Sequence, residues 1–236
     1  MNGSELIRNS EPFLRYLADW ETGLPEAALA AAATDPRRVA IVSVDVINGF
    51  CNTGTLASPR IQGIVAPVAE LFRRAEAAGV HNLVRLQEAH EPDALEFAQY
   101  PPHGVRGTAE AEAVPELKAL PFFDQMQVFT KNSIHPAFNT GFEPWLEAHP
   151  EVDTFVVVGD CTDLCTYQSA MYLKLRANAR QLAQRVIVPA NCVQTFDTPL
   201  ALAQQIGAVP HDGDLLHLIF LYSMRLNGIE VVRSAS

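Results

Sequence analysis

Three residues of this chain have side chains that suit acyl transfer, and each follows a short apolar run. Asp45 comes directly after Val39–Val44, Lys131 after 127–130, and Cys165 six residues past Gly159, which ends the run 154–158. A thiol at a helix N-terminus sees unpaired backbone N–H groups and the positive end of the helix dipole, which favour thiolate. A nearby ammonium favours it further. A carboxylate in reach can take the thiol proton as a general base and return it to a leaving group. Cysteine, carboxylate and lysine together therefore suffice for nucleophilic acyl chemistry without a histidine. Singly, each has a plainer reading. The Asp can cap a helix, the Cys can be a small buried apolar residue, and the Lys can be solvated. Their joint placement at the ends of predicted strands carries the inference.

The elements that must position them follow from apolar periodicity. Val39–Val44 is continuous, apolar and β-branched, as a buried strand should be. Similar runs predict strands at 80–86, 127–130, 154–158, Arg185–Pro189 and Glu230–Val232. Helical spacing marks 61–78, where Ile64, Val65, Val68, Leu71, Phe72 and Ala75 share one face and Gly79 supplies the stop. Further helices are predicted at about 162–178, 199–206 and 214–226. The segment 88–107, rich in Pro and His, reads as a loop. Ahead of the first strand, Ser10 is taken to cap a helix to about Leu17, and 25–33 to form another. Strands alternating with helices predict an α/β fold. Its form is a single-domain three-layer α/β/α arrangement with a mostly parallel, doubly wound sheet. The expected organisation is an N-terminal helical extension over 1–36 and one domain over 37–236. In such sheets ligands bind beyond the carboxyl ends of strands, where Asp45, Lys131 and Cys165 fall.

Composition narrows the classes. The 236 residues are 48% apolar and 19% charged, ample for a core. The charge is −10, from 17 Lys and Arg against 27 Asp and Glu, which argues against a phosphate-binding surface and so against nucleic acid. No apolar run reaches membrane-spanning length and no secretory leader is evident, so a cytoplasmic enzyme is expected. Four cysteines are too few for a disulfide framework. The C-x-x-x-C spacing of Cys161 and Cys165 is not a redox pair, and Cys161 is expected as a small buried neighbour of the site. There is no G-x-G-x-x-G and no Walker loop, so no nucleotide or other organic cofactor is expected. The acidic group Glu88, Glu91, Asp93, Glu96, Glu110, Glu112 and Glu116 reads mostly as a solvated face. His135, His149, His211 and His217 show no ligand spacing and receive no role.

The stretch Gly159-Asp160-Cys161-Thr162-Asp163-Leu164-Cys165 resembles the nucleophile motif G-x-x-T-D-x-C of the isochorismatase-like cysteine hydrolases. Val44-Asp45-Val46-Ile47-Asn48-Gly49-Phe50 is similar to that family's D-x-Q-x-x-F stretch, and Phe129-Thr130-Lys131 falls where its lysine belongs. The resemblance runs from about residue 38 to 232. Within the family the chain most resembles the nicotinamidases, in particular their plant-type branch. Tyr100-Pro101-Pro102-His103-Gly104-Val105-Arg106-Gly107-Thr108 and Glu88-Ala89-His90-Glu91-Pro92-Asp93 are similar to that branch's W-P-x-H and D-x-H-x-P-D stretches. Asn191-Cys192-Val193-Gln194-Thr195-Phe196-Asp197 also fits a C-terminal stretch of that branch.

The resemblance implies hydrolysis of nicotinamide to nicotinate and ammonia through a Cys165 thioester, with Asp45 as general base and Lys131 supporting both. It implies an oxyanion hole from the N–H groups of Cys161 and Cys165, with an unusual cis peptide at Asp160–Cys161. It implies Phe50 and Tyr100 around the substrate ring, and a divalent metal (Zn, Fe or Mn) on Glu88, His90 and His103. It also implies a homo-oligomer. Three positions depart from the pattern: Glu88 replaces an Asp, Ile47 a Gln and Gly104 a Cys. These leave open a related amide, carbamate or ureide, or the vinyl ether of isochorismate, as substrate. A catalytically silent binding protein is the alternative of another class.

Overall fold

The computed structural model describes residues 2–27 and 35–235. Among the described residues, seven parallel strands form one sheet: β1 (Val39–Val44), β2 (Asn82–Glu88), β3 (Gln127–Lys131), β4 (Thr154–Asp160), β5 (Arg185–Pro189), β6 (Val193–Gln194) and β7 (Glu230–Val232). Their order is β3-β2-β1-β4-β5-β7, with β6 pairing with β4. The main helices are α1 (Gly3–Thr22), α2 (Val65–Ala77), α3 (Phe142–Ala148), α4 (Cys165–Ala179), α5 (Leu200–Ile206) and α6 (Gly213–Leu226).

Every residue of β1 and of β4 is buried, because both faces of the sheet are covered. Alternate residues serve two cores. Val39, Ile41, Val156 and Val158 meet α2 on one face. Ala40, Val42, Phe155 and Val157 meet α3, α4 and α6 on the other. The result is the expected three-layer α/β/α architecture. From β1 the chain builds outward through β2 to β3, then returns to β4 on the other side of β1. The β1/β4 boundary is therefore the topological switch point, where a crevice opens at the carboxyl ends of the strands. Gly159 lets the two strands approach there. Its φ is +115°, and a Cβ on it would lie 1.9 Å from the Val44 carbonyl oxygen.

Several boundaries differ from the sequence reading. β2 runs to Glu88 rather than stopping at 86, because its pairing with β3 continues to Glu88 opposite Lys131. The helix expected over 61–78 is split into a short turn, Pro59–Gln62, and α2, with Gly63 at the break. The helix after β4 starts at Cys165, not Thr162. α1 starts at Gly3, not after Ser10: the Asn2 side chain accepts the Glu5 N–H and the Glu5 carboxylate accepts the Asn2 N–H, a capping box. Most of the helix expected over 25–33 lies outside the described residues. Its start is extended, with Ala27 bridging Ala235. α1 lies against α6, with Leu17 and Leu24 buried and Trp20 edge-on to Tyr222 at 5.2 Å.

Candidate active site

Adjacent parallel strands end side by side, so the last residues of β1, β2 and β3 converge. Asp45 follows β1, Glu88 ends β2 and Lys131 ends β3. Lys131 Nζ lies 2.7 Å from Asp45 Oδ2, 2.9 Å from Glu88 Oε1 and 3.4 Å from Cys165 Sγ. The ammonium donates to Glu88 and to the Cys165 sulfur and forms an ion pair with Asp45. Asp45 has φ +54°, a left-handed conformation that Asp tolerates better than most residues. Its Oδ1 accepts the Glu88 N–H at 2.7 Å, which leaves Oδ2 facing Lys131. Cys165 is the first residue of α4, whose opening N–H groups lack partners within the helix. The structure thus brings Asp45, Lys131 and Cys165 together in one buried cluster, with Glu88 as a fourth member.

The electrostatics of that cluster decide its resting protonation. Burial raises the Asp45 carboxyl to about 6, Lys131 pulling it down and Glu88 pushing it up. Burial also works against the Lys131 ammonium, but Asp45, Cys165 and Glu88 hold it well above the usual lysine value. Burial would raise the Glu88 carboxyl too, yet Lys131 first, and then the facing His103 and His90 imidazoles, keep it well below the ordinary range. The Cys165 thiol is pushed well up, first by burial and then by the Asp45 and Glu88 charges, with Lys131 opposing. The helix N-terminus and the lysine alone favour thiolate. Burial, reinforced by two carboxylates around one ammonium, opposes that preference and favours a neutral thiol with the Asp45 carboxylate beside it.

Glu88 also faces two imidazoles. Its Oε1 lies 3.3 Å from His90 Nε2 and its Oε2 lies 3.2 Å from His103 Nε2. The far nitrogens are already committed. His103 Nδ1 meets the Pro101 carbonyl at 2.8 Å, so it donates. His90 Nδ1 meets Asn132 Oδ1 at 3.1 Å, an oxygen that also accepts the Glu91 N–H, so it donates as well. In the neutral rings, both Nε2 lone pairs then point at carboxylate oxygens. His90 Nε2 is buried without a hydrogen-bond partner among the described residues. A cation resolves this arrangement, and outer hydrogen bonds that fix imidazole tautomers are typical of metal sites.

Glu96 completes the set, with one donor atom from each of Glu88, His90, Glu96 and His103 within 4.8 Å of one another. The sequence alone puts Glu96 on a mostly solvated face. It lies instead on a single 3-10 turn, Leu95–Ala98, that tucks it towards His90 at 3.9 Å. The residues present fit a divalent cation.

The 88–107 segment is not the free loop expected. His90 N–H donates to the Gly104 carbonyl at 3.0 Å and Arg106 N–H to the His90 carbonyl at 2.8 Å, which brings both histidines together. Gly104 has φ +49°, a conformation that favours glycine where the related pattern has Cys. Phe50 lies 5.6 Å and Tyr100 6.1 Å from the His103 ring. Phe97, missed in the sequence reading, contacts both His90 and His103. The Asp160–Cys161 peptide is cis. The Cys161 carbonyl accepts from the N–H groups of Leu164 and Thr166, forming the turn that delivers Cys165. His211 and His217, given no role from sequence, hold that turn from outside. His217 Nδ1 lies 2.8 Å from Thr162 Oγ1, and His211 Nε2 lies 2.8 Å from Asp163 Oδ2.

The geometry has relatives. Residues 39–208 match the isochorismatase domain. The chain is 32% identical to nicotinamidase 1 of Arabidopsis thaliana over 84% of this chain and 86% of that protein. It is 30% identical to the nicotinamidase/pyrazinamidase of Mycobacterium tuberculosis over 71% of this chain and 93% of that one. A crystal structure of Pyrococcus horikoshii pyrazinamidase in complex with zinc superposes with a TM-score of 0.64. It is 20% identical and covers 83% of this chain and 99% of its own.

Proposed function

The chain belongs to the isochorismatase family, and on that premise we propose that it is a nicotinamidase, an amidohydrolase converting nicotinamide to nicotinate and ammonia. The observation that supports this most is the buried Lys131 ammonium held between Asp45, Glu88 and the Cys165 thiol. It links the acyl-transfer cluster directly to the Glu88 end of the imidazole cluster.

In the proposed reaction Asp45 takes the Cys165 proton as sulfur attacks the carboxamide carbon. The oxyanion forms against the N–H groups of Cys161 and Cys165, each contributing roughly 3 kcal/mol. Asp45 returns the proton to the amine, ammonia leaves, and a thioester remains. Water, deprotonated by Asp45, then attacks the thioester, and nicotinate leaves as Cys165 regains its proton. Lys131 keeps the two carboxylates from repelling the thiolate character that builds on sulfur. Glu88, His90, Glu96 and His103 would hold a divalent ion such as Zn, Fe or Mn, which would supply a Lewis-acid anchor for the pyridine nitrogen. Phe50 and Tyr100 would flank the ring.

The reading includes a small amide substrate, a cytoplasmic setting, assembly with further copies, and an extension over 1–36 preceding the domain at 37–236. Among the described residues, no helix is long and apolar enough to cross a membrane. The test offers metal-supplied protein nicotinamide, a small carbamate and a ureide, read by ammonia release, and isochorismate, read by pyruvate release, in parallel. Nicotinamide is expected to turn over fastest. Glu88, a methylene longer than the Asp of the related pattern, favours another small amide as the second reading, and a faster carbamate or ureide would establish it. No ammonia from nicotinamide would overturn the substrate assignment.

A further inference from the structure

The turn between β4 and α4 carries Cys161 and Cys165, and segment 194–217 grips it from outside. We propose that His211 is a positioning residue for the nucleophile, acting through Asp163; this rests on the hydrolase reading above. Asp163 is the second residue of the turn's Thr-Asp-x-Cys run, two positions before Cys165, and its side chain is buried. Its Oδ1 accepts Thr195 Oγ1–H at 2.6 Å and its Oδ2 faces His211 Nε2 at 2.8 Å.

His211 is itself fixed. Its Nδ1 lies 3.0 Å from the Phe196 carbonyl, its ring stacks on Phe196 at 3.8 Å, and its backbone forms a two-bond bridge with Thr198. Both ring nitrogens have partners, so the imidazole is pinned between a backbone carbonyl and the Asp163 carboxylate. Burial would raise the Asp163 carboxyl, but the bonds from His211 and Thr195 keep it below the usual carboxylate range, and it remains an acceptor.

The base of this clamp is held too. Thr162 N–H donates to the Gln194 carbonyl at 3.0 Å, and Arg60 Nε donates to the Thr195 carbonyl at 3.2 Å. None of these groups touches the reacting atoms. They act by fixing where the turn's N–H groups and the sulfur sit relative to Asp45. Catalysis is sensitive to such placement, since a misalignment of about 1 Å can cost on the order of 100-fold in rate.

The test compares wild type with His211→Phe, which keeps a stacking ring but no donor, His211→Gln, which restores one donor, and Thr195→Val, which removes only the hydroxyl. The readouts are kcat and KM for nicotinamide, metal content, thermal midpoint, and the rate at which iodoacetamide alkylates Cys165. Cys51, Cys161 and Cys192 serve as internal controls. For His211→Phe, kcat is expected to fall roughly 10- to 100-fold and Cys165 alkylation roughly tenfold. KM should stay within about threefold and metal content should not change. His211→Gln should recover part of the loss, and Thr195→Val should lose kcat severalfold.

Unchanged kcat and alkylation in a folded His211→Phe protein would overturn the proposal, as would activity loss that only tracks the fraction unfolded. If His211→Phe does not fold, Thr195→Val decides: full kcat overturns the proposal, a severalfold loss sustains it. Alkylation needs no substrate. A protein inert to nicotinamide whose Cys165 alkylation still depends on His211 would therefore refute the substrate and leave the clamp standing.

Discussion

Cys165 has to give up a proton in a pocket that already holds two carboxylates and one ammonium. That crowding makes Asp45, rather than a pre-formed thiolate, the centre of the pH response. Asp45 works as a base only when ionised, and burial raises its pKa to about 6 from an ordinary 3.8. Its ionised fraction drops as pH falls through about 6, so the acid limb of kcat/KM is expected there and not near 4; a pH–rate profile checks this. The imidazole cluster makes a separate prediction. Chelator treatment should lower the thermal midpoint, and added zinc should restore it, a ligand at 100 times its Kd stabilising by about 2.7 kcal/mol. His103→Ala should abolish the zinc-dependent rise, read by calorimetry and elemental analysis. At this scale Asp45, Lys131 and Cys165 are legible as reactive residue types at predicted strand ends, whereas Glu88, His90 and His103 enter only through the family resemblance, because their spacing alone is no metal signature. Glu96 was not legible, since one turn of 3-10 helix decides whether it faces water or His90. His211 was not either, since its partner lies 48 positions away.

Elements explain why these residues meet. β1, β2 and β3 are parallel neighbours, so Asp45, Glu88 and Lys131 share one edge of the sheet. Gly159 lets β4 close against β1 at the point where the nucleophile turn begins. Gly159→Ala would drive a Cβ into the Val44 carbonyl at a left-handed φ, and the backbone has to move. This variant is expected to lose at least about 2 kcal/mol of stability and most of its activity, measured by denaturant unfolding and ammonia release. The apolar runs of β1 and β4 were readable because strands buried on both faces leave a continuous signature. The end of β2 was not, because Gln87 and Glu88 are polar and only their pairing with β3 makes them strand. The start of α1 was missed although Asn2 and Glu5 spell a capping box. Ser10 offered an equally good cap, and propensity cannot choose between them.

At the scale of the whole molecule, the doubly wound order places the site at the switch between β1 and β4, and the chain's C-terminal third closes over it. α6 and the segment before it hold His211 and His217 against the nucleophile turn, while α1 braces α6 from behind. Leu17 is 1% exposed at that brace, and Leu17→Ala is expected to cost about 2–4 kcal/mol, read by chemical denaturation. The −10 charge takes on a local meaning as well. Of the acidic group in 88–116, Glu88 and Glu96 face the imidazoles, whereas Glu91 pairs with Arg106 and Glu112 with Lys118 at the surface.

The central claim is that Cys165, with Asp45 and Lys131, hydrolyses an amide. The most direct measurement is ammonia release from nicotinamide by zinc-supplied wild type and Cys165→Ala protein, side by side. The wild type is expected to release ammonia and nicotinate in equal amounts, and Cys165→Ala to fall by at least about 10⁴-fold. A wild type that releases no ammonia, or a Cys165→Ala protein that keeps the wild-type rate, would contradict it.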